Sequence, residues 1–133
     1  HNQEFASQKS KNRLLFLLSF ADFNCPPCFE DFITLCDMIQ ARFRREESNR
    51  VLVLFKADDI ANPDDPTRLN RWARANELSF PIIIAPDSLF VDIQFTKSSA
   101  AVIDSSRNTI FHEILPMGQE QRQTVLRLMQ ESW

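Results

Sequence analysis

Two cysteines stand three residues apart in Cys25-Pro26-Pro27-Cys28. Thiols at that spacing can make and break a disulfide, supply half of a metal site, or close a permanent bridge. A zinc site needs about four ligands, and only Cys36, His1 and His112 remain as further cysteine or histidine donors. Haem attachment needs histidine directly after the second cysteine, and Phe29 stands there. A purely structural bridge would staple one turn, and so short a loop is a poor stabiliser on the loop-entropy model. The redox reading is favoured by what surrounds the pair: an apolar run ends before it and a helical period begins with it.

That context carries chemistry of its own. Backbone N–H groups in a first helical turn lack intrahelical partners, and the helix dipole there favours negative charge. A thiolate at Cys25 would be stabilised, while Pro26 and Pro27 stiffen the turn without removing donors the helix needs. Cys25, nearer the loop, is the expected attacking sulfur, and Cys28, one turn in, the resolving one. Glu30 and Asp31 follow at once; they suit the dipole but oppose thiolate formation. Cys36 lies on the apolar stripe and reads as a buried small hydrophobe. His112 reads as a half-exposed strand residue, and Arg68, Arg71 and Arg74 as a solvated helix face.

Elements must hold the pair in place. Arg13 to Phe20 is short and apolar, which predicts a buried strand. Phe29, Phe32, Ile33, Cys36, Ile39, Ala41 and Phe43 share a stripe at helical spacing. Val51 to Phe55 is a second strand, and Ala57 to Asp65 a loop. Asp65-Pro66 opens a helix carrying Leu69, Trp72 and Ala73. Pro81 to Ala85 is a third strand, and Asp87 caps a short helix with Leu89, Phe90 and Ile93. Ala100 to Ile103 and Thr109 to Ile114 form a hairpin across the turn cluster Asp104 to Asn108. From Gly118 a closing helix turns Val125, Leu128 and Met129 inward. Alternating strands and helices predict an α/β fold with parallel units and an antiparallel edge.

The 133 residues fit one domain, here 13–133, behind a polar segment or linker at 1–12. A formal net charge of -3 with mixed signs argues against a nucleic-acid surface. The apolar run Leu14 to Phe20 is too short to span a bilayer, so any leader or membrane tether would lie upstream. The chain has one glycine, no tyrosine and 12 phenylalanines, which predicts a Phe-rich core and turns made by Asn, Asp, Ser and Pro.

Leu14 to Phe20, then Cys25-Pro26-Pro27-Cys28, then this order of elements resemble a thioredoxin fold. The nearer likeness is to the TlpA/ResA-like thiol-disulfide oxidoreductases, in the broader superfamily that includes peroxiredoxins. Leu78-Ser79-Phe80-Pro81-Ile82-Ile83-Ile84 with Asp87 is similar to that family's inserted strand and short helix. Ala101-Val102-Ile103-Asp104 with Thr109-Ile110 is similar to its closing hairpin. The resemblance implies a central mixed sheet of about five strands flanked by helices. It implies disulfide exchange with protein thiols through Cys25 and Cys28, and an extracytoplasmic place in the bacterial periplasm or cell envelope. It implies no cofactor, and as partners protein disulfide or dithiol substrates or an upstream electron donor.

The sequence departs from that pattern at several points. The family's cis-proline before its fourth strand falls on Ser98, so a trans Lys97–Ser98 bond is expected, a non-proline cis bond costing about 2.5–4 kcal/mol. That proline shapes the family's substrate groove and keeps metal off the sulfurs. Ala21 and Asn24 stand where tryptophan is common, with Phe23 between them. Arg107-Asn108 replaces the hairpin glycine. Asp59 (or Asp58) is the candidate proton acceptor after the second strand. Pro26, Pro27, Phe23, Asp59 and Ser98 are thus the residues expected to support the cysteines. Two other functions compete. A thiol peroxidase would need threonine where Asp22 stands and arginine near Ser98, where only Lys97 is close. A redox-silent, thioredoxin-like adaptor would account for the missing proline and the altered aromatics.

Overall fold

Leu14 to Leu18 has apolar side chains on both faces, as a strand in the middle of a covered sheet requires. In the computed structural model, which describes residues 11–43, 50–56, 67–93 and 95–131, this run is the central strand. The strands are β1 (Arg13–Leu18), β2 (Val51–Lys56), β3 (Ile82–Ala85), β4 (Ser99–Ile103) and β5 (Thr109–Ile114). They form one sheet in the order β3-β2-β1-β4-β5. β1 pairs parallel with β2 (Phe16 opposite Val53) and antiparallel with β4 (Phe16 opposite Ala100). β3 runs parallel to β2, and β5 antiparallel to β4 with a bulge at Val102/Ile103. The helices are α1 (Pro26–Arg42), α2 (Thr67–Ala75), α3 (Asp87–Asp92) and α4 (Gln119–Glu131).

The two sheet faces are covered unequally. Leu14, Phe16, Leu18, Val51, Val53, Phe55, Ala100 and Val102 pack under α1, α2 and α4. Phe32, Leu35, Cys36 and Ile39 of α1 and Val125, Leu126 and Met129 of α4 fill this larger core. It is phenylalanine-rich, as the composition predicts. Phe16 meets Phe32 edge-on at 4.8 Å, Phe20 stacks on Phe55 at 4.3 Å, and Trp72 stands edge-on to Phe55 at 5.2 Å. The other face carries a smaller cluster of Leu17, Leu54 and Ala85 under Phe90 of α3.

Several boundaries differ from the sequence reading. β1 stops at Leu18, and Phe20–Asn24 forms a 3-10 turn instead of continuing the strand. The Ser19 N–H leaves the ladder for the Ser98 hydroxyl, and the Asp22 N–H turns back to the Ser19 carbonyl. Asp87 does not cap α3: Pro86 holds the N-cap position and Asp87 is the first helical residue. The helix start expected at Asp65-Pro66 lies outside the described residues, as do most of the polar segment 1–12 and the Asp58/Asp59 candidates. Leu126, unassigned by the period, is among the most buried residues of α4.

A chain with one glycine still needs left-handed turns, and Glu77 (φ 56°) and Arg107 (φ 67°) supply them. After α2 the Leu78 N–H reaches the Ala73 carbonyl and the Glu77 N–H the Arg74 carbonyl, a Schellman closure with glutamate in the usual glycine place. In the hairpin, Asp104 Oδ1 accepts the Ser106 and Asn108 N–H groups, each at 2.9 Å, and steadies the turn around Arg107.

Candidate active site

Cys25 ends the 3-10 turn and is the N-cap of α1; Pro26 and Pro27 are its first two residues. The proline rings remove two of the four first-turn donors. The other two, the Cys25 and Cys28 N–H groups, go to the Asp22 carbonyl at 3.2 Å and the Cys25 carbonyl at 3.1 Å. The Cys25 sulfur receives no capping bond from the helix. The first-turn donors that could have met this sulfur are therefore lost to proline or bonded to backbone carbonyls.

The two sulfurs are 2.7 Å apart, with the Cys28 thiol donating to Cys25 Sγ. Their exposures differ in the sense the chemistry needs: Cys25 is exposed and Cys28 is buried. Burial pushes the Cys28 thiol up from 9.0 to about 11, helped by its bond to Cys25 and by the charges of Cys25 and Asp22. Lys97 acts weakly in the opposite direction. The Leu115 carbonyl oxygen lies 3.9 Å from Cys28 Sγ. Cys36, fully buried in the larger core, takes no part in this geometry, and burial raises its thiol well above the ordinary range.

Ser98 sits where β4 begins, 1% exposed. Its peptide bond to Lys97 is trans, as expected; a cis bond is found instead at Leu115–Pro116, after β5. All four hydrogen-bonding groups of Ser98 are used. Its N–H and its hydroxyl both donate to Asp22 Oδ2, at 2.6 and 2.7 Å. The hydroxyl accepts the Ser19 N–H at 2.9 Å, and the carbonyl accepts the Leu115 N–H at 2.9 Å. Asp22 was singled out in the sequence only as the residue at the peroxidase threonine position. A missing proline leaves an N–H to be satisfied, and Asp22 is the one carboxylate between the end of β1 and Cys25. That signal could have found it.

A second polar cluster lies deeper. Asp31, one turn beyond Cys28, is buried and accepts the Met117 N–H at 2.7 Å. Its other oxygen pairs with Arg122 of α4, which also donates to the Met117 carbonyl at 3.2 Å. The carboxylate expected to oppose thiolate formation is thus matched by a guanidinium, while Glu30 is exposed. Together these bonds anchor the Leu115-Pro116-Met117 loop to α1 and to Ser98. Periodicity could not find Asp31, because its partner lies 91 residues away.

Of the residues expected at the site, Cys25, Pro26, Pro27, Cys28 and Ser98 are brought together. Phe23 lies in the 3-10 turn by its backbone, and Asp59 lies outside the described residues. His112 is exposed on β5, remote in the chain from the dithiol. Among the described residues no group of three or more His, Cys, Asp and Glu could hold a metal, and no helix is long and apolar enough to cross a membrane.

No protein-family model matches the sequence, and no curated protein does. Solved structures do match in shape. A thioredoxin-like superfamily protein superposes with a TM-score of 0.67 at 16% identity, over 94% of this chain and 83% of its own. A thiol:disulfide interchange protein of the thioredoxin family from Chlorobium tepidum gives 0.61 at 14% identity, over 96% of this chain and 83% of its own. A secreted thiol-disulfide isomerase from Corynebacterium glutamicum gives 0.63 at 13% identity, over 96% and 74%. At these identities the likeness is one of fold.

Proposed function

The chain has a thioredoxin-like fold with an exposed sulfur above a buried one at a helix start, and from this we propose that it is a thiol-disulfide oxidoreductase. The observation that carries the reading is the 2.7 Å approach of an exposed Cys25 sulfur and a buried Cys28 sulfur. In the reducing direction the Cys25 thiolate attacks a substrate disulfide. One substrate sulfur bonds to Cys25 Sγ, and the other leaves as a thiolate that takes up a proton. Cys28 then loses its proton and attacks Cys25 Sγ. The mixed disulfide breaks, the second substrate thiolate leaves and takes that proton, and an intramolecular disulfide remains. Two electrons pass to the substrate, and the reverse sequence oxidises a dithiol.

Cys25 is the attacking sulfur because a partner can reach it. Cys28 keeps its proton at neutral pH, so resolution waits until the mixed disulfide has formed. The substrates are protein disulfides and dithiols. The fold neighbours named for thiol:disulfide interchange, one of them secreted, support both this substrate class and an extracytoplasmic place. The peroxidase alternative is weakened by Asp22: its carboxylate accepts both Ser98 donors and offers no hydroxyl to a peroxide.

The test is reduction of a disulfide-bridged protein by the purified chain under a thiol donor. Cys25→Ser should abolish it, and Cys28→Ser should accumulate a mixed disulfide on Cys25. A dithiol that stays inert to oxidants and reductants over about -270 to -120 mV would sink the proposal.

A further inference from the structure

We propose that Asp22 and Ser98 form a clamp that fixes the start of β4 against the dithiol turn, making Asp22 a positioning residue for attack by Cys25. The clamp itself stands on geometry; its role in attack rests on the exchange reading above. Asp22 joins three pieces of chain. Its N–H is held by the Ser19 carbonyl at the end of β1, its carbonyl accepts the Cys25 N–H at 3.2 Å, and its side chain holds Ser98. A shift of Ser98 therefore passes through one residue to the backbone of Cys25. Ser98 is buried, so losing Asp22 leaves its N–H without an acceptor and its hydroxyl with only the Ser19 carbonyl, at 3.4 Å.

The clamp also explains why proline is absent. A proline at position 98 would replace the amide hydrogen with a ring carbon about 1.5 Å from the nitrogen. Asp22 Oδ2 lies 2.6 Å from that nitrogen, in the direction the hydrogen points. The ring carbon would fall well inside van der Waals contact of the carboxylate. Asp22 and a proline at 98 exclude each other, and the chain carries the first.

Charge and position predict opposite signs. The Asp22 charge helps keep Cys28 protonated, so removing it by electrostatics alone would speed the reaction. Loss of position slows it.

The experiment uses the whole chain in its reduced form. Asp22→Ala should slow reduction of a cystine-bridged peptide about tenfold, since small misplacements of reacting groups have effects of that size or larger. Asp22→Asn keeps an acceptor oxygen without the charge and should retain most of the rate. Ser98→Pro should lower the melting temperature sharply, and adding Asp22→Ala to it should restore much of the loss. The melting losses of Asp22→Ala and Ser98→Ala should not add in the double variant. Exchange by Asp22→Ala at or above the native rate would overturn the positioning role. Additive melting losses, or Ser98→Pro as stable as its double variant, would overturn the clamp. A native protein that exchanges no disulfide would defeat the oxidoreductase reading and with it the positioning role; the melting cycle would still decide the clamp.

Discussion

Cys28 holds its proton about two pH units longer in the folded chain than a free thiol does, 11 against 9.0. This makes the reduced protein's stability depend on pH in a defined window. Below pH 9 the thiol is protonated in both states and the effect is absent. Between 9 and 11 the unfolded chain loses the proton while the folded chain keeps it. The unfolded state then binds fewer protons, and stability falls as pH rises, by up to about 1.4 kcal/mol per unit. Above 11 the loss levels off at no more than about 3 kcal/mol, since solvent at the edge of the site screens part of it. Denaturant unfolding of the reduced chain at pH 8, 9, 10 and 11, beside Cys28→Ala, isolates this contribution. The absence of tyrosine removes the phenols that would otherwise titrate there, while lysines titrate alike in both proteins. The native curve should drop further than the variant's across the window, by at most about 3 kcal/mol. Parallel curves would refute the argument that burial governs this sulfur. At pH 7 Cys28 is protonated and buried while Cys25 is exposed, so a slow, limiting reagent should alkylate Cys25 first.

Other perturbations test other parts. Arg122→Met leaves the Asp31 carboxylate buried without its cation and should destabilise the chain by about 3 kcal/mol in urea; adding Asp31→Asn should recover most of it. Trp72→Ala removes contacts with Phe20, Phe32 and Phe55 and should lower stability by about 3 kcal/mol by the same measurement. Arg107→Gly and Glu77→Gly relieve left-handed side chains, and each should raise stability by roughly 0.5–1 kcal/mol, read as a higher melting temperature.

The fold could be read from the sequence where a pattern is local. The apolar run of β1, the stripe Phe32, Cys36 and Ile39, and the hairpin around Asp104 each follow from neighbours a few residues apart. The dithiol could be read for the same reason, since both sulfurs and both prolines lie within four residues. What escaped was long-range polar pairing. Asp22 meets Ser98 across 76 residues and Asp31 meets Arg122 across 91; each residue alone reads as a surface carboxylate or hydroxyl. The end of β1 escaped because Ser19 and Phe20 suit a strand by composition, and only the distant Ser98 hydroxyl draws the Ser19 N–H from the ladder. The position of Ser98 came from the resemblance to a known family, with no propensity involved.

Cys36, sealed in the larger core 11 residues after Cys25, gives the chain an internal clock. A thiol reagent added to the reduced protein meets Cys25 at the surface, but reaches Cys36 only when α1 parts from the sheet. Once the slow reaction of the buried Cys28 is set aside with Cys28→Ser, the remaining slow phase times the opening of the core, with no probe introduced. Oxidising the dithiol would silence the surface reaction and leave that phase alone, so one experiment can ask whether closing the disulfide also slows the breathing of the helix that bears it.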